Sequence, residues 1–423
     1  MGVVTVEPVR VELTDAAFGG ESLGRLPDGR VVFVPRTLPG EEALVHVQQT
    51  RKDFARADVF EIERAASGRV APPCPYFSAG CGGCSWQHAD YALQLQLKYQ
   101  IVVDQLRRVG RFESAEDLVR EPIGMLDPWH YRNQARFTVG RRFGELCFTY
   151  RGSHRLMRID HCWIVHPRIN DTLEQLQTSG RLTQRRLHQV LIRVGSNTDQ
   201  LLVAPSLPEA PEVPSGQPFV DEELLGRRFR LQPPSFFQVN TRREQRALPN
   251  AVRTARVPLP TAGLSMADIL ALLVLDRSEL QPDSLVVDAY SGVGTFALLV
   301  APLVRDVIAI EEARSAVRDA RANAADLPNV RFIEAKTEHA LPSLDDRPDT
   351  VILDPARAGC HPDVLSALLG SRPNRIVYVS CDPSTLARDL RVLVEAGYTL
   401  DEVQPVNMFP QTYHIENVAT LKR

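Results

Sequence analysis

Three short stretches in the last third of the chain combine residue types that could do chemistry together. DAYSGVGTF (288–296) follows the apolar run LVVDAY and opens a helix-length segment, and Gly292 and Gly294 let the backbone approach a ligand closely at that turn. Glu311 ends the next apolar run, about 20 residues on, where a carboxylate can accept from a ribose diol. LDPARAG (353–359) sets Asp354, and VSCDP (379–383) sets Cys381, each at the tip of a later run. A lone cysteine at a strand end is most often a small buried hydrophobe. Here Pro383 halts the strand at once, so the thiol lies on a rigid turn facing the same crevice as the glycine loop and Asp354, which favours a nucleophile. HIENVATL (414–421) adds Glu416 on a last strand, where spacing alone does not separate a base from a surface acid. Nicotinamide and S-adenosylmethionine folds share the glycine-loop and acid logic, so these spacings leave the nucleotide class open.

A second constellation lies upstream. CPYFSAGCGGC (74–84) brings Cys74, Cys81 and Cys84 together as C-x6-C-x2-C. Metal centres want four such ligands, and Cys147 and Cys162 are the candidates for the fourth, to zinc or to an iron-sulfur cluster. Radical enzymes use a different spacing, C-x3-C-x2-C. Seven cysteines, an odd number with three clustered, suit thiols kept reduced rather than a disulfide scaffold. Residues 128–158 carry seven Arg against one acid, Glu145, interleaved with Trp129, Tyr131, Phe137, Phe143, Phe148 and Tyr150. Arginine with aromatics suits phosphate contact and base stacking, and a solvated β-ribbon is the plain alternative. Arginine is 45 of the 49 basic residues, which GC-rich codon usage alone would give.

The elements that must position these groups are legible in outline. From about 231, short apolar runs alternate with helix-length amphipathic segments: LVVDAY, VIAIE, VRFIE, TVILDP and RIVYVSC. That alternation predicts an α/β Rossmann-like domain at 231–423, a parallel sheet with helices on both faces and ligands at the carboxyl ends of the strands. Residues 1–65 read as short strands punctuated by Gly19-Gly20 and Pro27-Asp28-Gly29, a small β-barrel of the oligonucleotide-binding type. Residues 66–230 read as a central α+β domain, with a helix near 90–110, strands in HQVLIRVG and QLLVAP, and a Pro-rich loop at 205–218. The expectation is therefore a multidomain protein. No apolar run approaches a membrane span, the longest being ILALLVL (269–275), and no secretory signal heads the chain, so a cytoplasmic protein is expected.

The series FFQVN (236–240), DAYSGVGTF, LDPARAG, VSCDP and HIENVATL, in this order and spacing, resembles the class I RNA (uracil-5-)-methyltransferases. The barrel with its LPGE turn (38–41) looks like the TRAM domain that heads many members, so the resemblance spans nearly the whole chain. It implies S-adenosyl-L-methionine as cofactor, at Gln238, Tyr290, Glu311 and Asp354, with Cys381 as nucleophile and Glu416 as general base. It also implies a [4Fe-4S] cluster in the central domain, held by Cys74, Cys81, Cys84 and Cys162, while Cys147 reads as structural. LDPARAG, the TRAM-like head and the cysteines together point to 23S rRNA, at a flipped-out loop uridine, rather than to tRNA; a monomer with no protein partner is the simplest expectation. This chain departs from the pattern at Ser291, where many members have Cys, and at Thr295, where many have Asn. Lys336 stands where an Asn or Asp often meets the adenine, so no adenine partner is assigned. A tRNA or dual-site rRNA enzyme, an RNA-binding protein that has lost catalysis, and a nicotinamide oxidoreductase are the competing readings.

Overall fold

Strands Val9–Ala16 (β1), Glu21–Arg25 (β2), Val31–Pro35 (β3), Glu42–Thr50 (β4) and Phe54–Arg64 (β5) close into a barrel of order β1-β2-β3-β5-β4. They do so in a computed structural model that describes residues 7–140, 144–179, 182 and 187–423; the first six residues of the predicted barrel lie outside these. Every pairing is antiparallel except β3 with β5. Alternate residues such as Val11, Leu13, Val32, Val34, Ala43 and Val45 fill the interior, as a period of two requires. Gly24 faces β1 so closely that a Cβ would stand 2.4 Å from Val11 and 2.5 Å from the Glu12 carbonyl, so only glycine fits there. The run 31–49 is two strands, divided at the LPGE turn. Glu41, wholly buried, organises that turn by accepting from the N–H groups of Leu38 and Ala66 and from Arg69.

The chain forms two units. The first runs to Ile101 and takes in Thr149–Arg155 and Phe409–His414. Besides the barrel it contains the cysteine segment, with the short helix Pro75–Ala79, and the start of the helix Tyr91–Arg108. The buried Trp86 Nε1–H donates to the Gly20 carbonyl at 3.1 Å.

The second unit holds three sheets. Gln134–Val139 (β6), Leu146–Thr149 (β7), Leu156–Arg158 (β8), Gln189–Gly195 (β9) and Gln200–Ala204 (β10) form a sheet of order β10-β9-β6-β7-β8, and Val220–Leu224 (β11) pairs with Arg227–Leu231 (β12). This corrects part of the basic-aromatic reading of 128–158. Tyr131 and Phe137 are wholly buried, and Phe137 stacks on Phe148 with centroids 4.9 Å apart, so these rings build the core of the sheet instead of presenting a platform. Arg141, Arg142 and Phe143 of that stretch lie outside the described residues.

The third sheet comprises Leu285–Ala289 (β13), Asp306–Glu311 (β14), Val330–Glu334 (β15), Thr350–Leu353 (β16), Arg375–Ser380 (β17), Thr399–Val406 (β18) and Glu416–Lys422 (β19), in the order β15-β14-β13-β16-β17-β19-β18. The first five are parallel, and β19 runs antiparallel between β17 and β18. Helices cover the sheet, and its inner strands are buried along their length, hence continuous Val, Ile and Leu rather than alternation. The helix Met266–Arg277, which contains ILALLVL, is buried on every side and starts with a capping box between Ser265 and Asp268. Strand order reverses between β13 and β16, opening a crevice at their carboxyl ends. Among the described residues no helix is long and apolar enough to cross a membrane.

Candidate active site

The glycine loop grows out of β13. Asp288 accepts from the Ala297 N–H at 2.7 Å, tying the strand to the first turn of the helix Thr295–Val300. Tyr290, Gly292 and Gly294 all adopt left-handed backbone, with φ of +70°, +57° and +83°. Tyrosine does so rarely, which marks the loop as held in shape by its surroundings. At the tip of β14, Glu311 accepts from the N–H of Gly292 at 2.9 Å and of Ala313 at 2.7 Å, so it both braces the loop and presents its carboxylate beside it.

Two further strand tips face the same space. Asp354 follows β16 directly, and Cys381 follows β17. Pro383 does more than stop a strand: it is the first residue of the helix Pro383–Glu395, capped by the Asp382 carboxylate, which accepts from the N–H of Ser384 and of Thr385, both at 3.0 Å. That helix in turn holds the loop after Asp354. Thr385 Oγ1 donates to the Arg357 carbonyl at 3.1 Å and Arg388 to the Ala358 carbonyl at 3.0 Å. Glu416 opens β19, whose last pairing with β17 is Asn417 with Ser380, so Glu416 and Cys381 each lie one residue beyond that pair. Its strand is interior and its side chain is buried, 6% exposed, so the surface-acid alternative does not hold.

The structure brings all six predicted C-terminal residues to one cavity of about 550 Å3, lined among others by Gln238, Tyr290, Glu311, Asp354, Cys381 and Glu416. Lys336 lines it too, just before the short helix Thr337–Ala340. Burial dominates its electrostatics. The Glu416 carboxyl is pushed up to about 7 by desolvation, with Arg357 pulling the other way. Asp288 also rises to about 7 by burial, and Asp354 is raised well above the carboxylate range by burial and then by Glu416 and Asp288. The Cys381 thiol is pushed up to about 12, first by burial and then by Glu416, while Arg357 favours its thiolate. Reading the sequence missed Arg357 and Asp288. The only signal was their place inside LDPARAG and DAYSGVGTF.

The cysteines are arranged differently. Cys74 precedes the helix Pro75–Ala79, Gly80 ends it at φ +108°, and the Cys81 thiol accepts from the Gly83 N–H at 3.4 Å. Half-buried Arg36 and Cys81 feel each other's charge, as do Cys74 and Cys81. Cys162 belongs to the second unit, where its N–H donates to Asn170 Oδ1 at 2.9 Å. Cys147 is buried in β7. Among the described residues no group of three or more Cys, His, Asp or Glu side chains is placed to hold a metal ion.

Comparison with known proteins agrees with the fold. Residues 3–60 match the TRAM domain, and residues 269–423 match the family described as tRNA (uracil-5-)-methyltransferase. An uncharacterized RNA methyltransferase of Gloeobacter violaceus is 35% identical, the alignment covering 99% of this chain and 97% of the relative. Another, from Halalkalibacterium halodurans, is 32% identical over 98% of this chain and 96% of its own. The crystal structure of Pyrococcus abyssi tRNA (uracil-54, C5)-methyltransferase in complex with S-adenosyl-L-homocysteine shares the fold, with a TM-score of 0.73, 24% identity and coverage of 98% of this chain and 99% of that one. The chain is an RNA methyltransferase of the class I RNA (uracil-5-)-methyltransferase family, headed by a TRAM domain.

Proposed function

We propose that the protein transfers a methyl group from S-adenosyl-L-methionine to C5 of a uridine in RNA, through a covalent bond between Cys381 and C6 of the base. The observation that carries this reading is that Cys381, just past the end of β17, and Glu416, at the start of the antiparallel β19, line one cleft. C5 of uracil is too weak a nucleophile unaided. Addition of the Cys381 thiolate to C6 pushes electron density onto C5, and Arg357 is the cation that favours that thiolate. Once C5 is methylated, Glu416 takes its proton; the C6–S bond breaks, the 5,6 double bond returns and the thiolate leaves. The cleft fits the cofactor: Gln238 and Ser291 line it with buried polar atoms, Oε1 and Oγ, that have no hydrogen-bond partner among the described residues. When bound, the cofactor supplies an electrophilic methyl carbon on a sulfonium. Gln238, Tyr290, Glu311 and Asp354 would hold it, Glu311 at the ribose. Cys381→Ala is expected to abolish both methylation and the denaturant-resistant adduct with 5-fluorouridine RNA; a variant that still methylated would end this mechanism.

The substrate we propose is 23S rRNA, at a uridine flipped out of a loop, because C6 is out of reach in a stacked helix. The TRAM barrel at 1–65 would bind RNA, followed along the chain by a central domain at 66–230 and the methyltransferase domain at 231–423. The reading is of a monomer working in the cytoplasm. A tRNA substrate is the second reading, favoured by the description of the matched family, and methylation assays on unmodified 23S rRNA and tRNA separate the two. For the cysteines the proposal rests on donor chemistry. Cys74, Cys81 and Cys84, with Cys162, would hold a [4Fe-4S] cluster, whose net negative charge the neighbouring Arg36 would offset. Iron and sulfide analysis after anaerobic purification, with absorbance near 400 nm, tests it; zinc without iron would overturn it.

A further inference from the structure

The hairpin loop between β18 and β19 belongs to the barrel unit, although both strands belong to the other. Its residues Phe409–His414 are gripped there at several points. Lys98, wholly buried, donates from Nζ to the carbonyls of Phe409 at 3.0 Å and His414 at 2.7 Å, tying the two ends of the loop together. One turn earlier on the same helix, Gln94 exchanges two bonds with Gln411: the Gln411 N–H donates to Gln94 Oε1 at 2.9 Å, and Gln94 Nε2 donates to Gln411 Oε1 at 3.0 Å. The N–H groups of Ser85 and Trp86, the two residues after Cys84, both donate to the Gln411 carbonyl, at 2.9 and 3.0 Å. Gln411 is held at φ +66°, a backbone state that a non-glycine residue keeps only when its neighbours impose it.

A buried ammonium is an expensive way to close a loop. Burial pushes Lys98 well below its ordinary range, and a methionine would fill similar space without that cost, so bulk stability is a weak reason for a lysine here. What the ammonium does is set the spacing of Phe409 and His414, and Glu416 stands two residues after His414. We infer that Lys98 is a positioning residue for Glu416, with Gln94 and the backbone after Cys84 completing a clamp on the loop that leads into it. The inference rests on the reading of Glu416 as the base.

Because the base acts only after the thiolate has added and C5 is methylated, a misplaced Glu416 stalls elimination and leaves addition intact. The test uses full-length Lys98→Met, with Gln94→Leu as the second variant should the first not fold, on unmodified transcribed RNA of the kind the wild type methylates. Turnover is expected to fall between about tenfold and 100-fold, since a small misplacement of a general base forfeits much of its contribution. KM for RNA should hold, and a denaturant-resistant complex with ordinary uridine RNA should accumulate. Wild-type turnover without accumulation, or equal loss of turnover and of 5-fluorouridine adduct formation in a folded variant, would overturn the inference. A wild type that forms no 5-fluorouridine adduct overturns the parent mechanism, and this inference with it.

Discussion

Replacing Glu416 by Gln removes a charge while keeping the shape, and the burial of the carboxyl sets both the sign and the size of the effect. The carboxyl titrates at about 7 in the fold against 4.5 in an exposed chain, with desolvation as the cause. Folded protein therefore holds this proton more tightly than unfolded protein does. Below about pH 4.5 the residue is neutral in both states and costs nothing; as pH rises through 7 the folded state must ionise a buried acid. That cost comes to about 1.5 kcal/mol at pH 5.5 and about 3 kcal/mol at pH 8. Glu416→Gln should then be more stable than wild type at pH 8 by up to about 3 kcal/mol, less whatever the amide loses in hydrogen bonding, with the gap shrinking as pH falls. Urea unfolding of both proteins at pH 8 and 5.5 measures it, and the same variant should methylate no RNA to completion. A second readout comes from Cys381, whose thiol is pushed up to about 12 partly by the Glu416 charge. Iodoacetamide should alkylate Cys381 faster in Glu416→Gln than in wild type at pH 8, Cys381→Ala supplying the background. A variant no more stable at pH 8, or a gap that widens toward acid, would refute the burial of an ionising carboxyl at Glu416.

Turnover by the wild type should rise with pH through about 7, because the base works only as the carboxylate; a kcat profile flat from pH 6 to 8 would contradict the assignment. Glu311→Ala removes the acceptor of the Gly292 and Ala313 N–H groups and should weaken S-adenosylhomocysteine binding by about 10- to 100-fold by calorimetry, as expected for hydrogen bonds to a charged group. Gly294→Ala forces a Cβ into left-handed backbone at φ +83°, 3.1 Å from Leu298, and should cost about 1–2 kcal/mol in urea unfolding; a neutral result would mean the turn relaxes freely.

The parts of the site legible in the sequence were local. Asp354 and Cys381 announce themselves because a proline follows each within two residues, at the end of an apolar run, which places each residue at a strand tip whatever the strand order. Glu416 is the opposite case. HIENVATL shows a strand but not that it inserts between β17 and β18, and only that insertion buries the acid and brings it to the cleft that Cys381 lines. The arginine-aromatic stretch misled for a related reason. Tyr131 and Phe137 lie among polar residues as in an exposed ribbon, yet both are wholly buried, Phe137 on β6 between β9 and β7. Lys98 and Gln94 gave no signal at all, since their partners lie more than 300 residues away in the chain.

Buried acids in and beside the cleft oppose one another's ionisation. Asp288, Asp354 and Glu416 are all raised by burial, and Asp354 rises further because the other two repel its charge. Such a group cannot all ionise at neutral pH without a counter-charge, and Arg357 is the cation that acts on Cys381 and Glu416. A more basic cleft would relieve the repulsion, but it would also weaken the attraction for a positively charged ligand. On the proposed reaction the methyl donor enters as a sulfonium and leaves as a neutral thioether. On that reaction the same carboxylates that repel one another favour the reactant over the product, while burial holds Cys381 as a thiol and Arg357 is the cation that favours its thiolate.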